Sequence, residues 1–312
     1  MHPTEIMVAS KDMPPRVEGF VSTFIKNQFR TTLPIITRKD ANMNGKVAII
    51  TGSNTGIGLE SSKQLLDLGL SRLIMAVRST ERGEIIASKL RLAHPTSIID
   101  VWYLDMLSYQ SVHNFVQRCD SELNQIDTVI LNAGVSPYKF MKSESTGHEE
   151  GIQVNYLSTV LLTILLVPVL KTKSQKDSPG RITISTSILA NLSKFPNRNK
   201  RPLLSSFDDT KVNPWDGNER YMVSKLLGQL FLVKLADYVN PDDVIINMVE
   251  PGFVKGTELL RNLPFVLNCF IALFKIVSAR TVQKGAVTYT DAVVAKGKDS
   301  HGCLLVNCEV AP

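Results

Sequence analysis

The chain has 312 residues, of which 44% are hydrophobic and 21% are charged. This balance excludes intrinsic disorder for most of the chain, because enough apolar surface is present to form a full core. The formal net charge of +6 is spread along the sequence, which argues against a nucleic-acid partner.

Residues 1–45 form an N-terminal arm in which prolines recur and no core-like apolar run is found. Phe20, Phe24, Ile25 and Phe29 are spaced to form one face of a short amphipathic helix. Such an arm either packs on its own domain or contacts a second copy or a membrane, and the sequence leaves these alternatives open.

A single domain, residues 46–312, follows the arm. Its first strand, Val47–Ile50, is a continuous apolar run typical of a strand buried in a parallel sheet. Strand and helix patterns then alternate six times, which predicts an α/β fold: one doubly wound domain whose mostly parallel sheet is flanked by helices on both faces. The later predicted strands are Leu73–Val77, Ile98–Leu104, Thr128–Leu131, Ile182–Ser185 and Val244–Val249. Among the predicted helices, one ends at Gly69, one spans Glu81–His94, one is capped by Ser108 and one begins at Tyr221.

A polar loop, residues 191–220, interrupts this alternation. It holds three prolines and a basic cluster at 197–201. A loop of this size inside a compact domain is usually functional or disordered. The basic cluster is more typical of a solvated surface than of a phosphate site.

We expect no membrane span, because the apolar runs Val160–Leu170 and Leu263–Phe274 are shorter than the ~20 residues that a spanning helix needs. The first residues have no apolar core long enough for a signal peptide. A cytoplasmic protein is therefore expected, with peripheral membrane contact left open. The four cysteines include no CxxC pair, and the five histidines lack metal-ligand spacing, so we expect no bound metal.

The first strand ends in a glycine-rich turn, Thr51-Gly52-Ser53-Asn54-Thr55-Gly56-Ile57-Gly58. Such glycines let the chain turn tightly and let a pyrophosphate approach main-chain N–H groups at a helix N-terminus. Glycine can also serve a tight turn for steric reasons alone. Because this turn follows a first strand and opens a helix, it predicts a dinucleotide site that includes Gly52, Gly56, Ile57 and Gly58.

The end of the second strand indicates which dinucleotide binds. NAD-specific enzymes place an acidic residue about 20 residues past the glycines, where it holds the ribose 2′-hydroxyl. This chain has Arg78 there, with Arg82 one turn further on. A guanidinium pairs well with a 2′-phosphate, which predicts NADP(H) as the cofactor. The alternative is that Arg78 merely closes the strand.

Tyr221 and Lys225 form a YxxxK motif at the start of a strongly apolar helix, where four-residue spacing puts them on one face. The same spacing occurs at Tyr138 and Lys142, but no comparable helix is predicted behind that pair. A nearby ammonium favours the phenolate form and would bring the tyrosine closer to its operating range as an acid–base group. The helical context therefore favours Tyr221 over Tyr138 as the acid–base residue.

Together these motifs resemble the short-chain dehydrogenase/reductase family over about residues 45–255. The resemblance implies a Rossmann-type fold and an oxidoreductase acting on C=O and CH–OH groups. It implies that Tyr221 exchanges the proton, that Lys225 assists it and holds the nicotinamide ribose, and that Asn155 positions Lys225 through water. Ser187 is implied to stabilise the substrate oxygen; strand register favours it over Ser185.

The same resemblance implies further cofactor contacts. Asn132 stands in an Asn-Ala-Gly turn after the fourth strand, and Asp105, at the end of the third, corresponds to an adenine contact. Val254 and Thr257 follow a Pro-Gly pair and correspond to the segment at the nicotinamide end. The interval from Ser187 to Tyr221 is longer than usual for the family, because it contains the polar loop.

Residues 257–278 are expected to form an apolar lid over the substrate, because no acidic residue follows Glu258 there. An apolar or aromatic ketone, such as a polyketide or terpenoid, would suit such a lid. The alternatives are a core helix or a dimer helix.

We therefore expect an NADP(H)-dependent reductase of a hydrophobic ketone or aldehyde, reversibly an alcohol dehydrogenase. The N-terminal arm and the ending Gly302–Pro312 are similar to those of short-chain enzymes of fungal natural-product pathways, which points to secondary-metabolite biosynthesis. A membrane-associated oxidoreductase resembling retinol dehydrogenases and a catalytically idle NADP-binding regulatory protein are the alternatives. Assembly as a homodimer or homotetramer is left open.

Overall fold

The fold is built around a sheet that contains all six predicted strands. Their bounds differ from the predicted ones by no more than two residues at either end. Two short strands that the sequence did not predict extend the sheet at its C-terminal edge. The structure is a computed structural model, and it describes residues 8–15, 19–175, 178–212, 214–256 and 278–312.

The strands lie in the order β3-β2-β1-β4-β5-β6-β7-β8, and every neighbouring pair is parallel except the last, which is antiparallel. The order reverses between the first and fourth strands, which is where a doubly wound sheet opens a crevice at its carboxyl edge. The predicted fold class is confirmed. The strands are β1 (Val47–Thr51), β2 (Arg72–Val77), β3 (Ile98–Tyr103), β4 (Thr128–Leu131), β5 (Gly180–Ser185), β6 (Val244–Glu250), β7 (Leu304–Val306) and β8 (Glu309–Ala311).

Helices cover both faces of the sheet, and two buried apolar clusters fill the space between the layers. One helical run contains a π-helical segment, Gln153–Ser158, between two α-helical ones. Short 3₁₀ turns occur at Ser10–Asp12, Ile188–Leu192, Leu204–Phe207 and Lys298–Ser300. The helices are α1 (Phe20–Ile25, continued by a π turn, Lys26–Arg30), α2 (Gly56–Asp67), α3 (Thr80–Ala93), α4 (Tyr109–Glu122), α5 (Glu150–Lys173), α6 (Gly217–Ala236) and α7 (Val282–Val294).

Helix α6 begins one turn earlier than the sequence predicted. Asp216 caps it by accepting hydrogen bonds from the N–H groups of Asn218 (3.0 Å) and Glu219 (3.1 Å). A carboxylate at this position satisfies backbone donors that the first turn leaves unpaired. Tyr221 therefore lies in the second turn rather than opening the helix, and the polar loop ends before residue 217 instead of at 220.

Helix α1 confirms that the arm contains a short helix, but its apolar side chains do not share one face. Phe20 and Phe24 line the large cavity described below, whereas Ile25 and Phe29 are exposed. The reason is the helical period: residues four apart align, while residues 24 and 25 point about 100° apart.

Helix α5 is longer than Val160–Leu170, the apolar run that it contains. That run was judged from the sequence to be too short to span a membrane. By length and composition alone it could cross a membrane, although 56% of its most apolar window is buried inside the fold. Leu162, Leu166 and Leu170 are fully buried in the core cluster beside the sheet. A core helix passes the same test of hydropathy, and these contacts make α5 a core helix.

The polar loop has a small apolar centre of its own. Phe207 is buried and stacks on Phe195, with 6.3 Å between the ring centroids, and it packs against residues of α5 and α6. The side chain of Asn197 is buried and donates to the Ser206 carbonyl oxygen (3.0 Å). The charged members of the 197–201 cluster are exposed, as the sequence indicated.

Candidate active site

A cavity of about 830 Å³ opens at the carboxyl ends of the strands. It gathers the glycine turn after β1, the ends of β2 to β6, and the first turns of α6. Two of the predicted site residues, Gly58 and Asn155, lie behind its wall, and Thr257 lies outside the described residues. The predicted site residues that line it are Gly52, Gly56, Ile57, Arg78, Asp105, Asn132, Ser187, Tyr221, Lys225 and Val254.

The glycine turn has the conformation that an anion site requires. Gly52 and Gly56 have φ of +64° and +56°, which side chains with a Cβ rarely adopt. Thr55, the N-cap of α2, makes no side-chain capping hydrogen bond to any residue that the structure describes. The first N–H groups of α2 therefore open on the cavity, where a pyrophosphate would satisfy them.

Gly58 and Asn132 brace this turn from behind. The Asn132 side-chain nitrogen donates to the carbonyl oxygens of Thr51 (2.9 Å) and Gly52 (3.2 Å). A Cβ on Gly58 would lie 2.5 Å from that nitrogen and 2.6 Å from the Gly52 oxygen. Asn132 thus shapes the turn through its amide nitrogen, since both N–H bonds are used on the backbone, and Gly58 is required by close packing.

The ends of β2 and β3 form the side of the cavity where the sequence predicts the adenosine. Arg78 is exposed there, next to Ser79 and Arg82, and all three line the cavity. Asp105 lines it as well, and its carboxylate accepts a hydrogen bond from Leu107 N–H (3.0 Å). Two guanidinium groups, Arg78 directly after β2 and Arg82 in the first turn of α3, suit a phosphate ester.

Ser187 and Tyr221 meet at the other side of the cavity. Ser187 follows β5 and caps the turn Ile188–Leu192, and its side chain lies near enough to the Tyr221 hydroxyl to lower the pKa of that group. Ser185, the alternative from the sequence, is bonded elsewhere: its hydroxyl lies 2.5 Å from the Tyr289 hydroxyl. The structure therefore places Ser187 beside Tyr221.

Burial controls the protonation of this tyrosine. It raises the pKa of Tyr221 to about 12; the hydrogen bond from Ser187 opposes the rise, and the Glu250 carboxylate adds to it. From the sequence we expected a nearby ammonium to lower the pKa of Tyr221, but removing the phenolate from water is the larger effect. At neutral pH Tyr221 holds its proton, as an acid that protonates a developing alkoxide must.

Lys225 lies one turn further along α6. Its ammonium nitrogen donates to the Ser185 carbonyl oxygen (3.0 Å) and stands 5.9 Å from the centre of the Tyr221 ring. Burial lowers the pKa of Lys225 to about 8. The cation is thus held beside the tyrosine and remains mostly charged at neutral pH.

Asn155 sits in the π-helical segment of α5, 5% exposed. Its side chain holds both backbone groups of Val135, accepting from the N–H and donating to the carbonyl oxygen at 2.8 Å each. It also donates to the Ser224 hydroxyl (3.0 Å). A Cβ on Gly134 would lie 3.3 Å from the Asn155 oxygen and 3.6 Å from the Lys225 nitrogen, so these two groups flank Gly134.

Three residues that contribute to this site were not predicted from the sequence. Ser224 anchors Asn155, and Tyr289 of α7 bonds Ser185 and lines the cavity. Glu250, buried at the end of β6, lines it too. Only Ser224 carries a sequence signal, because it stands inside the YxxxK motif.

The second YxxxK pair does not form a comparable arrangement. Tyr138 lines the mouth of the cavity, but no helix joins it to Lys142, which forms an isolated bridge with Glu149. The two side chains therefore do not share a helix face. The predicted lid, residues 257–278 with Leu263–Phe274, lies outside the described residues except for Ser278.

The sequence of this chain is similar to those of known short-chain dehydrogenases. The family model described as short chain dehydrogenase matches residues 46–198. The short chain dehydrogenase/reductase mfmJ of Annulohypoxylon moriforme is 50% identical over 98% of this chain and 88% of its own length. The short chain dehydrogenase virL of Hypocrea virens is 41% identical over 93% of this chain and 83% of its own.

A solved structure supports the fold alone. The NADPH-dependent 3-quinuclidinone reductase from Rhodotorula rubra superposes with a TM-score of 0.64 at 19% identity. The match covers 88% of this chain and 94% of the reductase. The doubly wound sheet is therefore shared over nearly the whole of both proteins.

Proposed function

Because this chain belongs to the short-chain dehydrogenase family, its activity is oxidoreduction of a small molecule, and we propose that it is an NADP(H)-dependent reductase of a hydrophobic ketone or aldehyde. The observation that carries the proposal is that Ser187, a protonated Tyr221 and Lys225 all line the same cavity as the glycine turn. In the reverse direction the same residues would serve the oxidation of an alcohol.

Each catalytic residue has a task that its position supports. NADPH, when bound, supplies the hydride. The Ser187 hydroxyl is placed to donate a hydrogen bond to the substrate oxygen, where negative charge develops. Tyr221 then gives its proton to that oxygen. Lys225 stabilises the phenolate that remains, and Asn155 acts as a positioning residue that fixes the backbone beside Lys225.

The cofactor assignment rests on the glycine turn and on Arg78. The uncapped N-terminus of α2 and the positive-φ glycines fit a pyrophosphate. Arg78, which follows β2, and Arg82, in the first turn of α3, fit a 2′-phosphate better than a 2′-hydroxyl, since a guanidinium cannot accept from a hydroxyl.

Arg78→Gln should weaken NADPH binding roughly 10- to 150-fold and leave NADH binding nearly unchanged, because charge-assisted bonds worth ~1.5–3 kcal/mol are lost. Dissociation constants for both cofactors, measured by fluorescence titration, test this. Arg72→Gln is the matched control, because Arg72 stands at the other end of β2 and pairs with Asp100 (2.8 Å). An unchanged preference for NADPH would move the assignment to Arg82.

The substrate class is inferred from apolar side chains in the wall of the cavity. Met141, Ile188 and Leu189 line the cavity, and they favour a hydrophobic carbonyl compound. We extend the proposal to secondary-metabolite biosynthesis because relatives of high identity occur in fungi such as Annulohypoxylon moriforme.

Oxidation of NADPH by the purified protein with a panel of hydrophobic ketones and aldehydes tests the reaction. We expect absorbance loss at the nicotinamide band with at least one aromatic ketone and a slower loss with acetone. Binding of NADPH without turnover of any carbonyl compound, or of any alcohol with NADP⁺, would instead favour the idle regulatory protein. Recovery in the membrane fraction of lysed cells would favour the alternative that resembles retinol dehydrogenases.

A further inference from the structure

The N-terminal arm is fastened to the turn after β6. The Gln28 side chain donates to the Phe253 carbonyl oxygen (2.7 Å) and accepts from the Phe253 N–H (3.1 Å), so that it pairs with this backbone as a strand would. It also donates to the Ser278 carbonyl oxygen (2.8 Å). The Arg280 guanidinium adds a hydrogen bond to the Asn27 carbonyl oxygen. These bonds fix where the arm lies.

That position is at the catalytic side of the cavity. In the sheet, β6 is the neighbour of β5, which leads into Ser187, and it lies four strands away from β2, which leads into Arg78. Four strand spacings amount to roughly 19 Å. The arm therefore borders the region around Ser187 and Tyr221 and is remote from the predicted 2′-phosphate site.

One face of the arm helix is part of the cavity wall. Phe20 and Phe24 both line the cavity, and their rings stack with 6.3 Å between centroids and 26° between planes. The Phe24 ring also lies 6.4 Å from the Phe253 ring. The apolar side chains on the outer face of the same helix are Val21 (69% exposed), Ile25 (42%) and Phe29 (56%).

The wall also presents a polar group without a partner. Asn27 lines the cavity, and its side-chain nitrogen is buried with no hydrogen-bond partner among the described residues. Buried amide groups in folded proteins are nearly always satisfied by protein, water or ligand. A buried donor without a partner, in the same helical run as the two phenyl rings, suits an oxygen substituent on an apolar ligand.

We propose that the arm is the specificity wall of the active site: Phe20 and Phe24 bind an aromatic ring system of the substrate, and Asn27 donates to an oxygen substituent of that ring system. The substrate is then an oxygenated aromatic ketone. This inference rests on the proposed function, because it describes how that same site selects its carbonyl compound. It assigns the arm to the protein's own active site and not to a second copy or to a membrane.

The phenyl rings are tested by binding to the NADP⁺-loaded protein, in which no reduction can occur. We expect Phe20→Ala and Phe24→Ala each to weaken binding of 2-tetralone about 10-fold, the worth of an aromatic contact, and to leave NADP⁺ affinity unchanged. The same two substitutions should weaken the binding of cyclohexanone, which lacks the aromatic ring, by a smaller factor. Phe29→Ala, the same change on the outer face of the arm, should bind 2-tetralone like the wild type, and melting temperatures should confirm that all three variants are folded.

Two results would overturn the inference: a wild type that does not bind 2-tetralone, and an effect of Phe29→Ala as large as that of Phe24→Ala. Neither depends on turnover. Arm-dependent binding of 2-tetralone by a wild type that reduces no ketone would therefore contradict the proposed function and still support the arm as a ring-binding wall.

Asn27 is tested with the four monohydroxy-2-tetralones that carry the hydroxyl on the aromatic ring. At least one should bind to the wild type more tightly than 2-tetralone does, and Asn27→Leu should remove that preference. Two results would overturn the assignment of this amide to the substrate. One is a wild type that binds no hydroxytetralone more tightly than 2-tetralone. The other is an Asn27→Leu variant in which only the affinity for NADP⁺ is reduced.

Discussion

Tyr221→Phe is expected to lower kcat for ketone reduction by about 10²–10⁴, the usual contribution of a positioned general acid. The substitution keeps the ring in its partly buried place and removes only the hydroxyl beside Ser187. NADPH affinity should survive, because the glycine turn and Arg78 are untouched. Steady-state kinetics with an aromatic ketone, together with a fluorescence titration of NADPH, measure both quantities.

Tyr138→Phe is the matched control for this experiment. It makes the same chemical change at the other YxxxK pair, where Tyr138 is 43% exposed and its lysine lies on no shared helix. Its kcat should stay close to that of the wild type. Equal losses in the two variants would show that the proton does not come from Tyr221.

The strands and their parallel order follow from the sequence because each buried strand is a short apolar run between helical patterns. Strands β7 and β8 were missed for a local reason. They are three residues long, and the two residues between them, Asn307 and Cys308, have φ of 54° and 67°. A two-residue hairpin with both φ positive normally signals itself by a glycine, which this turn lacks.

The site residues that belong to motifs could be predicted, and the groups that hold them could not. The YxxxK spacing together with the apolar helix that carries it predicts Tyr221 and Lys225, since a helix aligns residues four apart. No periodicity reveals that a π-helical segment carries Asn155 to the Val135 backbone, or that Tyr289, from a helix much later in the chain, bonds Ser185. Those contacts arise only when distant segments pack together.

The arm shows the same limit. Its spacing predicted a helix, and that prediction is confirmed. The sequence could not reveal which face meets the cavity, because Gln28 and Phe253 lie 225 residues apart along the chain. Their pairing fixes the orientation of the arm helix. Phe20 and Phe24 then line the cavity, and Ile25 and Phe29 are exposed on the opposite face.

The charge of Lys225 should set the alkaline limit of the reaction. Burial lowers the pKa of Lys225 from its ordinary value of 10.5 to about 8, so the ammonium is lost as the pH rises through that value. Tyr221, with a pKa of about 12, does not titrate in this range. We therefore expect kcat/KM for reduction, which reports the free enzyme, to fall about tenfold per pH unit above 8.

Lys225→Met should lower kcat/KM at pH 7 by about 10²–10³, as the loss of one electrostatic group from an active site commonly does, and should abolish the decline near pH 8. Lys225→Arg keeps a positive charge throughout this pH range and should move the decline in kcat/KM to higher pH. Its activity should still be below that of the wild type, because the planar guanidinium does not fit the site of a single ammonium equally well. A wild-type profile that stays flat from pH 7 to 10 would show that the reaction does not need this charge.

Stability measurements separate that loss of activity from a loss of fold. Because the folded-state pKa of Lys225 is depressed, the unfolded chain binds more protons between about pH 8 and 10.5, and wild-type stability rises with pH across this window relative to Lys225→Met. Below pH 8 the buried ammonium opposes folding in full, so the melting temperature of Lys225→Met relative to the wild type should be highest there and should decline toward pH 10.5. A variant that is inactive at pH 7 yet shows this dependence has lost the cation and not the structure around it.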